Sequence, residues 1–124
     1  MFINFSNHPS SQWNREQKRA AAYYGDIQDI VFPKVPPMAA VQEVADMAEK
    51  YAGEIINMQP ECVMCQGEFS LTMAVVRRLQ MAGIRCVCAC SERRVMEEQM
   101  GNGMIQKTSV FEFFQFREYE KMDF

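Results

Sequence analysis

Short apolar runs alternate with amphipathic stretches along the chain from Phe2 to Cys90. Runs rich in β-branched and aromatic residues are typical of strands, and apolar residues spaced three and four apart are typical of helices. Strands that alternate with helices predict a parallel sheet with right-handed crossover connections. We therefore expect an α/β fold, a small Rossmann-like three-layer sandwich with helices on both faces of four parallel strands.

The predicted elements follow the order βαβαβαβ and end in a C-terminal β-hairpin. The turn signal Gly101-Asn102-Gly103 separates two stretches of mixed alternation, which predict the two arms of that hairpin. A short helix at Glu92–Gln99 is the competing interpretation of the first arm. The predicted strands are Phe2–Phe5, Ile27–Phe32, Cys62–Cys65 and Ile84–Cys90, the predicted helices are Asn14–Tyr24, Met38–Ile55 and Phe69–Ala82, and the predicted hairpin arms are Val95–Met100 and Met104–Phe116.

A length of 124 residues suits a single domain, residues 1–124, because two cores would each be too small to be stable. No apolar run approaches the roughly 20 residues that cross a bilayer, and no basic and apolar leader precedes the first strand. We therefore expect a cytoplasmic protein without a membrane partner. The net charge of −3 shows that the chain has no excess of basic residues, which proteins that bind long nucleic acids usually have. We therefore expect no long nucleic acid as a partner.

The apolar residues of the chain are unusual in kind, since they include 11 Met and 9 Phe. Met fills irregular gaps and suits adaptable surfaces. This inventory exceeds what a small core needs. We therefore expect part of it to lie between two copies of the chain in a homodimer.

The ends of the predicted parallel strands mark the candidate ligand site. In an open parallel sheet, ligands bind beyond the carboxyl ends of the strands, where the strand order reverses. The first loop lacks the glycine pattern that admits a pyrophosphate, and no Walker-type loop occurs, so we expect no dinucleotide cofactor. The residues selected by position are Ser6, Asn7 and His8 after the first strand, Gln66, Gly67 and Glu68 after the third, and Ser91, Arg93 and Arg94 after the fourth.

His8 and the two arginines carry the chemistry of this set. An imidazole can accept or donate a proton near neutral pH, and an exposed turn residue is the alternative interpretation of His8. Arg suits bidentate contact with a phosphate. Because neighbouring residues on an extended segment point to opposite faces, we expect only one of Arg93 and Arg94 to face the crevice. The alternative is that both arginines are solvated and form ion pairs with nearby glutamates.

Gly67 and the five cysteines each have a structural and a functional interpretation. A glycine between a strand and a helix lets an anion approach the amides of the helix start, or it serves the turn geometry alone. Cys62 and Cys65 form a C-x-x-C that suggests zinc or redox chemistry. Residues three apart on a strand point to opposite faces, however, so the two cannot share one metal. We expect five free thiols, mostly buried, and no metal site.

Three segments of the chain carry a family resemblance: the opening Phe-Ile-Asn-Phe-Ser-Asn-His-Pro-Ser-Ser, the turn Gly67-Glu68-Phe69, and the closing residues from Ser109-Val110-Phe111 to Phe116-Arg117-Glu118-Tyr119. They resemble small stand-alone proteins encoded beside type III CRISPR systems, which are similar to the CRISPR-associated Rossmann-fold (CARF) superfamily. The resemblance covers nearly the whole chain. It implies a homodimer that binds a cyclic oligoadenylate across its two-fold axis, and some such relatives, the ring nucleases, cleave that ring.

The resemblance also implies which residues act. Ligand contacts come from the loops after the first and fourth strands, which here hold Ser6, Asn7, His8, Ser91, Arg93 and Arg94. Metal-independent cleavage would hold a ribose 2′-OH in line with the adjacent phosphate. Arg93 would then stabilise charge on the phosphoryl oxygens, and His8 or Ser6 would assist proton transfer.

Two departures from the family limit this expectation. The chain has no obvious lysine after the fourth strand, so an arginine would have to replace it. No His lies downstream of any Arg, which excludes the HEPN ribonuclease motif of the larger CARF effectors. Two other functions remain open: a module that senses or sequesters the nucleotide without chemistry, and a structural interaction subunit.

Overall fold

In the computed structural model, which describes residues 1–123, strands and helices alternate as far as the fourth strand. The strands are β1 (Phe2–Ser6), β2 (Ile27–Val31), β3 (Cys62–Cys65), β4 (Arg85–Gln99) and β5 (Ile105–Glu118), and the helices are α1 (Arg15–Ala22), α2 (Val41–Met58) and α3 (Phe69–Met81). All five strands form one sheet in the order β2-β1-β3-β4-β5. Neighbours among the first four strands are parallel, and β5 runs antiparallel to β4.

The helices cover both faces of the sheet. On one face, Ile3 and Val63 pack in the larger core cluster against the apolar stripe of α2 and the inner face of α3. On the other face, Phe2 packs in a smaller cluster with Trp13 and with Ala21 of α1. Side chains alternate between the two faces along a strand. The continuous apolar sequence of β3 and the complete burial of β1 are therefore explained by cover on both sides.

The α/β prediction is confirmed, with its helices and parallel strands in the expected chain order. The main difference concerns the hairpin, because the predicted fourth strand and first hairpin arm are one continuous strand, β4. Backbone pairing with β5 extends from Val87 to Gln99, and a register shift at Cys90/Ser91 is its only irregularity. The competing helix at Glu92–Gln99 is wrong, because that segment is strand throughout.

The boundaries of α2 also differ from the prediction. The helix begins at Val41 instead of Met38, and Ala40 is its N-cap. It continues three residues past the predicted end at Ile55, and Gln59 closes it in the left-handed conformation with φ of 53°. No helix within residues 1–123 is long and apolar enough to cross a membrane.

Candidate functional site

The carboxyl ends of β1 and β3 lie side by side at the centre of the sheet. The chain leaves β1 towards β2 on one side, and it leaves β3 towards β4 on the other. This is the point where the strand order reverses, and the gap between the two diverging connections is where open parallel sheets bind ligands. The loop after β1, residues 7–14, lies on the α1 side of the sheet, because its Trp13 packs in the cluster with α1.

A buried polar network fixes the first part of this loop. Asn4 and Ser6 are 1% and 5% exposed, and both point to the α1 side of β1. The Ser6 hydroxyl donates to Asn4 Oδ1 over 2.6 Å and accepts from the His8 backbone N–H over 3.2 Å. Asn4 Nδ2 donates to the His8 carbonyl over 2.8 Å and to Asp29 Oδ1 over 3.1 Å. Ser6 is therefore a positioning residue for the loop.

Asp29 completes the network from the neighbouring strand. It lies opposite Asn4 in the β1–β2 pairing, and its second oxygen accepts from the Ser10 backbone N–H over 3.0 Å. The sequence analysis did not select Asn4 or Asp29. The signal for Asn4 was a polar residue between the apolar residues of β1, since a buried polar group needs a partner. Asp29 is exposed beside the polar Gln28 and had no such signal.

The loop presents two of the selected side chains to solvent. Asn7 and His8 are both exposed, and the backbone of His8 is held from below by Asn4 and Ser6. A rigid backbone that carries an exposed imidazole and an exposed amide can donate hydrogen bonds to a ligand with little loss of entropy.

The side chains that follow β3 already form hydrogen bonds within the chain. Glu68 caps α3 by accepting from the Ser70 and Leu71 backbone N–H groups, over 3.0 and 2.9 Å. The bond from Leu71, followed by those from Ser70, lowers the pKa of the Glu68 carboxyl. A carboxylate already occupies the position that an anion would take at this helix start. Gln66 is also engaged, because its Oε1 accepts from the Ala89 backbone N–H.

Gly67 is required by packing. A β-carbon built on Gly67 would lie 2.5 Å from three carbons of the Phe32 ring. Phe32 is buried and stacks at 4.8 Å on Phe5 in the main core. The close approach that a glycine permits here is therefore made by an aromatic ring of the same chain, and the φ of Gly67 is not positive.

The third group of selected residues lies on a projecting ribbon instead of a loop. We call residues 91–113 of β4, the turn and β5 the hairpin arm, because the parallel strands have ended before it begins. Arg93 lies four residues beyond Ala89, which is roughly 13 Å along a strand. Ser91 stands at the base of the arm, beside the register shift and opposite Phe113.

Arg93 and Arg94 point to opposite faces of the arm. Arg93 donates to Ser109 Oγ over 3.2 and 2.9 Å, and it lies directly opposite Phe111. Arg94 forms an ion pair of 2.6 Å with Glu112 on the other face. Side chains directly opposite each other on paired strands share a face.

Arg93 therefore shares its face with Ser91 and Phe113, because residues two apart on a strand point the same way. Phe113 lines a groove of about 510 Å³ against α1. Arg93 is thus the arginine on the α1 side of the sheet, where Asn7 and His8 also lie.

The thiols form a separate group. All five cysteines are free, and Cys62, Cys65 and Cys86 are buried. Burial raises the pKa of Cys62 to about 11 and that of Cys86 to about 12. A raised pKa keeps a thiol protonated and unreactive. Within the described residues, no group of three or more Cys, His, Asp or Glu side chains is placed to hold a metal ion.

A family model described as the uncharacterized protein MJ1673 family matches residues 1–117 of the chain. The match spans the sheet, all three helices and nearly all of β5. No curated protein and no solved structure matches the chain.

Proposed function

We propose that the chain, which belongs to the uncharacterized protein MJ1673 family, binds a cyclic oligoadenylate at the carboxyl edge of its sheet on the α1 side. The single observation that carries the proposal is that Arg93 lies on the same side of the sheet as Asn7 and His8, which follow β1 at the point where the strand order reverses. The identity of the ligand comes from the resemblance of the sequence to proteins of the CARF superfamily.

The chemistry of the ligand suits this arrangement. A cyclic oligoadenylate carries one phosphate per nucleotide, so donors on separate elements of the chain can serve different phosphates of one ring. The Arg93 guanidinium supplies a fork that matches phosphate oxygens, and Ser109 orients it. The side chains of Asn7 and His8 supply further donors on a fixed backbone. Because the net charge of the chain is −3, the protein as a whole does not attract an anion, and binding would depend on these few donors.

The proposal includes cleavage of the ring with the ligand's own ribose as nucleophile. The 2′-oxygen attacks the adjacent phosphorus and loses its proton to the His8 imidazole, while the bond from phosphorus to the 5′-oxygen breaks. The 5′-oxygen takes a proton from water and leaves as a hydroxyl, and a 2′,3′-cyclic phosphate remains on the other side. Ser6 has no part in proton transfer here, because its buried hydroxyl is committed to Asn4 and to the His8 backbone.

A module that binds the nucleotide without chemistry is the second candidate. It is favoured by the commitment of Ser6, which leaves His8 as the one proton-transfer group among the residues selected at this edge. The two candidates share the site and differ only in the fate of the ring.

Binding is tested with synthetic cyclic tetra-adenylate and hexa-adenylate by calorimetry. Arg93→Ala removes charge-assisted hydrogen bonds worth about 1.5–3 kcal/mol, so affinity should fall roughly tenfold or more. Arg94→Ala is the matched control on the opposite face of the arm and should leave affinity unchanged. Absence of binding by either ring, or equal losses in the two variants, contradicts the site.

Cleavage is tested by chromatography of the same rings after incubation with the protein and a metal chelator. Linear products that end in a 2′,3′-cyclic phosphate are expected. His8→Ala should slow their formation more than it weakens binding. Intact rings bound to the wild-type protein would establish the second candidate.

A further inference from the structure

We propose that the free edge of β5 in the hairpin arm pairs antiparallel with the same edge of a second copy of the chain, so that two arms form one four-stranded sheet. The composition of the chain predicted a homodimer but not the surface through which it forms. The free edge of β5 is that surface in this proposal, which does not depend on the proposed nucleotide site.

The hairpin arm lacks the support that an isolated ribbon needs. A two-stranded hairpin is marginal in water unless a third strand or a helix packs on it. Residues 91 to 111 are exposed without exception, and none of the core clusters includes them. The arm also exposes seven large apolar side chains, namely Val95, Met96, Met100, Met104, Ile105, Val110 and Phe111.

The two edges of the sheet differ in how they are protected. The edge strand β2 has five residues, which is too short to template much pairing. The edge strand β5 has 14 residues and no proline, and in its arm portion β-branched and aromatic residues predominate. A long edge of this kind is a template for another strand.

The free hydrogen-bonding groups of β5 can be assigned from the ladder. The Met100 N–H donates to the Met104 carbonyl over 2.7 Å, so these two residues form a bonded pair. Bonded and non-bonded pairs alternate along an antiparallel ladder. The backbone groups of Gln106, Thr108 and Val110 therefore point to β4, and those of Lys107, Ser109 and Phe111 point to the free edge.

The charges of the arm favour a second copy over other partners. From Ile105 to Gln115, β5 carries one positive and one negative side chain, Lys107 and Glu112. An antiparallel pairing centred near Ser109 places Lys107 opposite Phe111, so no like charges meet. A nucleic acid or an anionic membrane would need a basic strip, which this strand lacks.

Part of the exposed apolar surface of the arm lies on the strand that would pair. Ile105, Val110 and Phe111 of β5 are 61%, 39% and 71% exposed. Pairing with a second copy would place a new strand beside these side chains and cover part of this surface, in addition to the unpaired backbone edge.

The experiment measures the mass of the full chain in solution by light scattering and analytical ultracentrifugation, at micromolar concentration and without nucleotide. The wild-type protein should be a dimer. Lys107→Pro removes an N–H that points to the free edge and leaves the ladder to β4 intact, because proline is tolerated on edge strands. This variant should shift the dissociation constant by at least tenfold towards monomer, and Phe111→Lys should do the same by adding a charge at the edge.

Met96→Lys is the matched control, since Met96 is 61% exposed on β4 of the same arm but away from the free edge. It should remain dimeric. Circular dichroism and the melting temperature of each variant report whether the α/β core is retained. A monomeric wild type overturns the proposal. So does a Lys107→Pro variant that stays dimeric while Phe111→Lys dissociates, because that result points to packing of side-chain faces.

Discussion

The Phe32 ring lies in the space that a side chain at residue 67 would occupy, 2.5 Å from the position of a β-carbon on Gly67. Phe32 follows β2, and residue 67 follows β3, so the contact joins the β2–α2 connection to the β3–α3 connection. Because Phe32 is buried on Phe5, it cannot move away without disturbing the core. The ends of β2 and β3 are thereby held in a fixed relation.

Gly67→Ala should therefore destabilise the protein. Overpacking of a dense core typically costs about 1–3 kcal/mol, and we expect a loss in this range in urea unfolding. Gly53→Ala is the control, because a β-carbon there meets nothing within 4 Å and the residue lies inside α2. That change should stabilise the protein by up to about 1 kcal/mol. Equal effects of the two substitutions would contradict the packing role of Gly67.

The cap of α3 predicts a dependence of stability on pH. Hydrogen bonds from Leu71 and Ser70 lower the pKa of Glu68 below its ordinary value of 4.5. A carboxyl whose pKa is lower in the folded state stabilises the fold above its ordinary pKa, and this contribution is lost as pH falls through the folded value. Glu68→Gln keeps an acceptor but removes the charge.

The stability difference between wild type and Glu68→Gln should be constant near neutral pH and should vanish in acid below pH 4.5. Urea unfolding of both proteins across this range measures it. The comparison with Glu68→Gln is needed because Glu61 also contributes to the pH dependence of stability. The pKa of Glu61 is lowered by its contact with the N-terminal amine. A difference that does not change with pH would show that the charge of Glu68 contributes nothing.

The layered α/β fold was predictable because its signals are local. Alternation of apolar runs and helical stripes predicted the strands and helices in order, and the central strands β1 and β3 are buried because helices cover both faces of the sheet. The continuation of β4 through Ser91-Glu92-Arg93-Arg94 was not predictable in this way. Both faces of the arm are exposed there, so no core imposes an alternating pattern on the sequence.

The orientation of the two arginines at the proposed site was predictable from the sequence, but the contacts of the other side chains were not. The sequence indicated that Arg93 and Arg94 face opposite ways, and the structure bears this out through Ser109 and Glu112. Arg93 follows Ala89 and Ser91 onto the α1 side by alternation along β4, but this could be read only once β4 was known to continue unbroken through residue 93. The commitment of Ser6 to Asn4 likewise depends on a contact between side chains under a loop.

Ser6→Ala should loosen the loop after β1. The change leaves the side-chain Oδ1 of Asn4 and the backbone N–H of His8 without the Ser6 hydroxyl as their partner. A buried unsatisfied group costs about 1–3 kcal/mol. We expect a loss of stability of this order and faster hydrogen exchange at the His8 amide, measured by NMR. Ser10→Ala keeps the backbone N–H that donates to Asp29, so it should leave both quantities unchanged. Unaltered exchange at His8 in Ser6→Ala would refute the positioning role.

The thiols should fall into two classes when titrated with a disulfide reagent at pH 8. Cys88 and Cys90 are half-buried and should react in the native protein, slowly because burial raises the pKa of Cys88. Cys62, Cys65 and Cys86 should react only on unfolding, since burial raises all three pKa values.

The full titration in denaturant should count five thiols. The double variant Cys88→Ser, Cys90→Ser should abolish the native reaction and leave three thiols in denaturant, because the remaining cysteines lie inside the sheet. Elemental analysis of the purified protein should find no stoichiometric metal. One equivalent of zinc per chain, or native reaction of all five thiols, would show that the cysteines are not the inert core residues that their burial indicates.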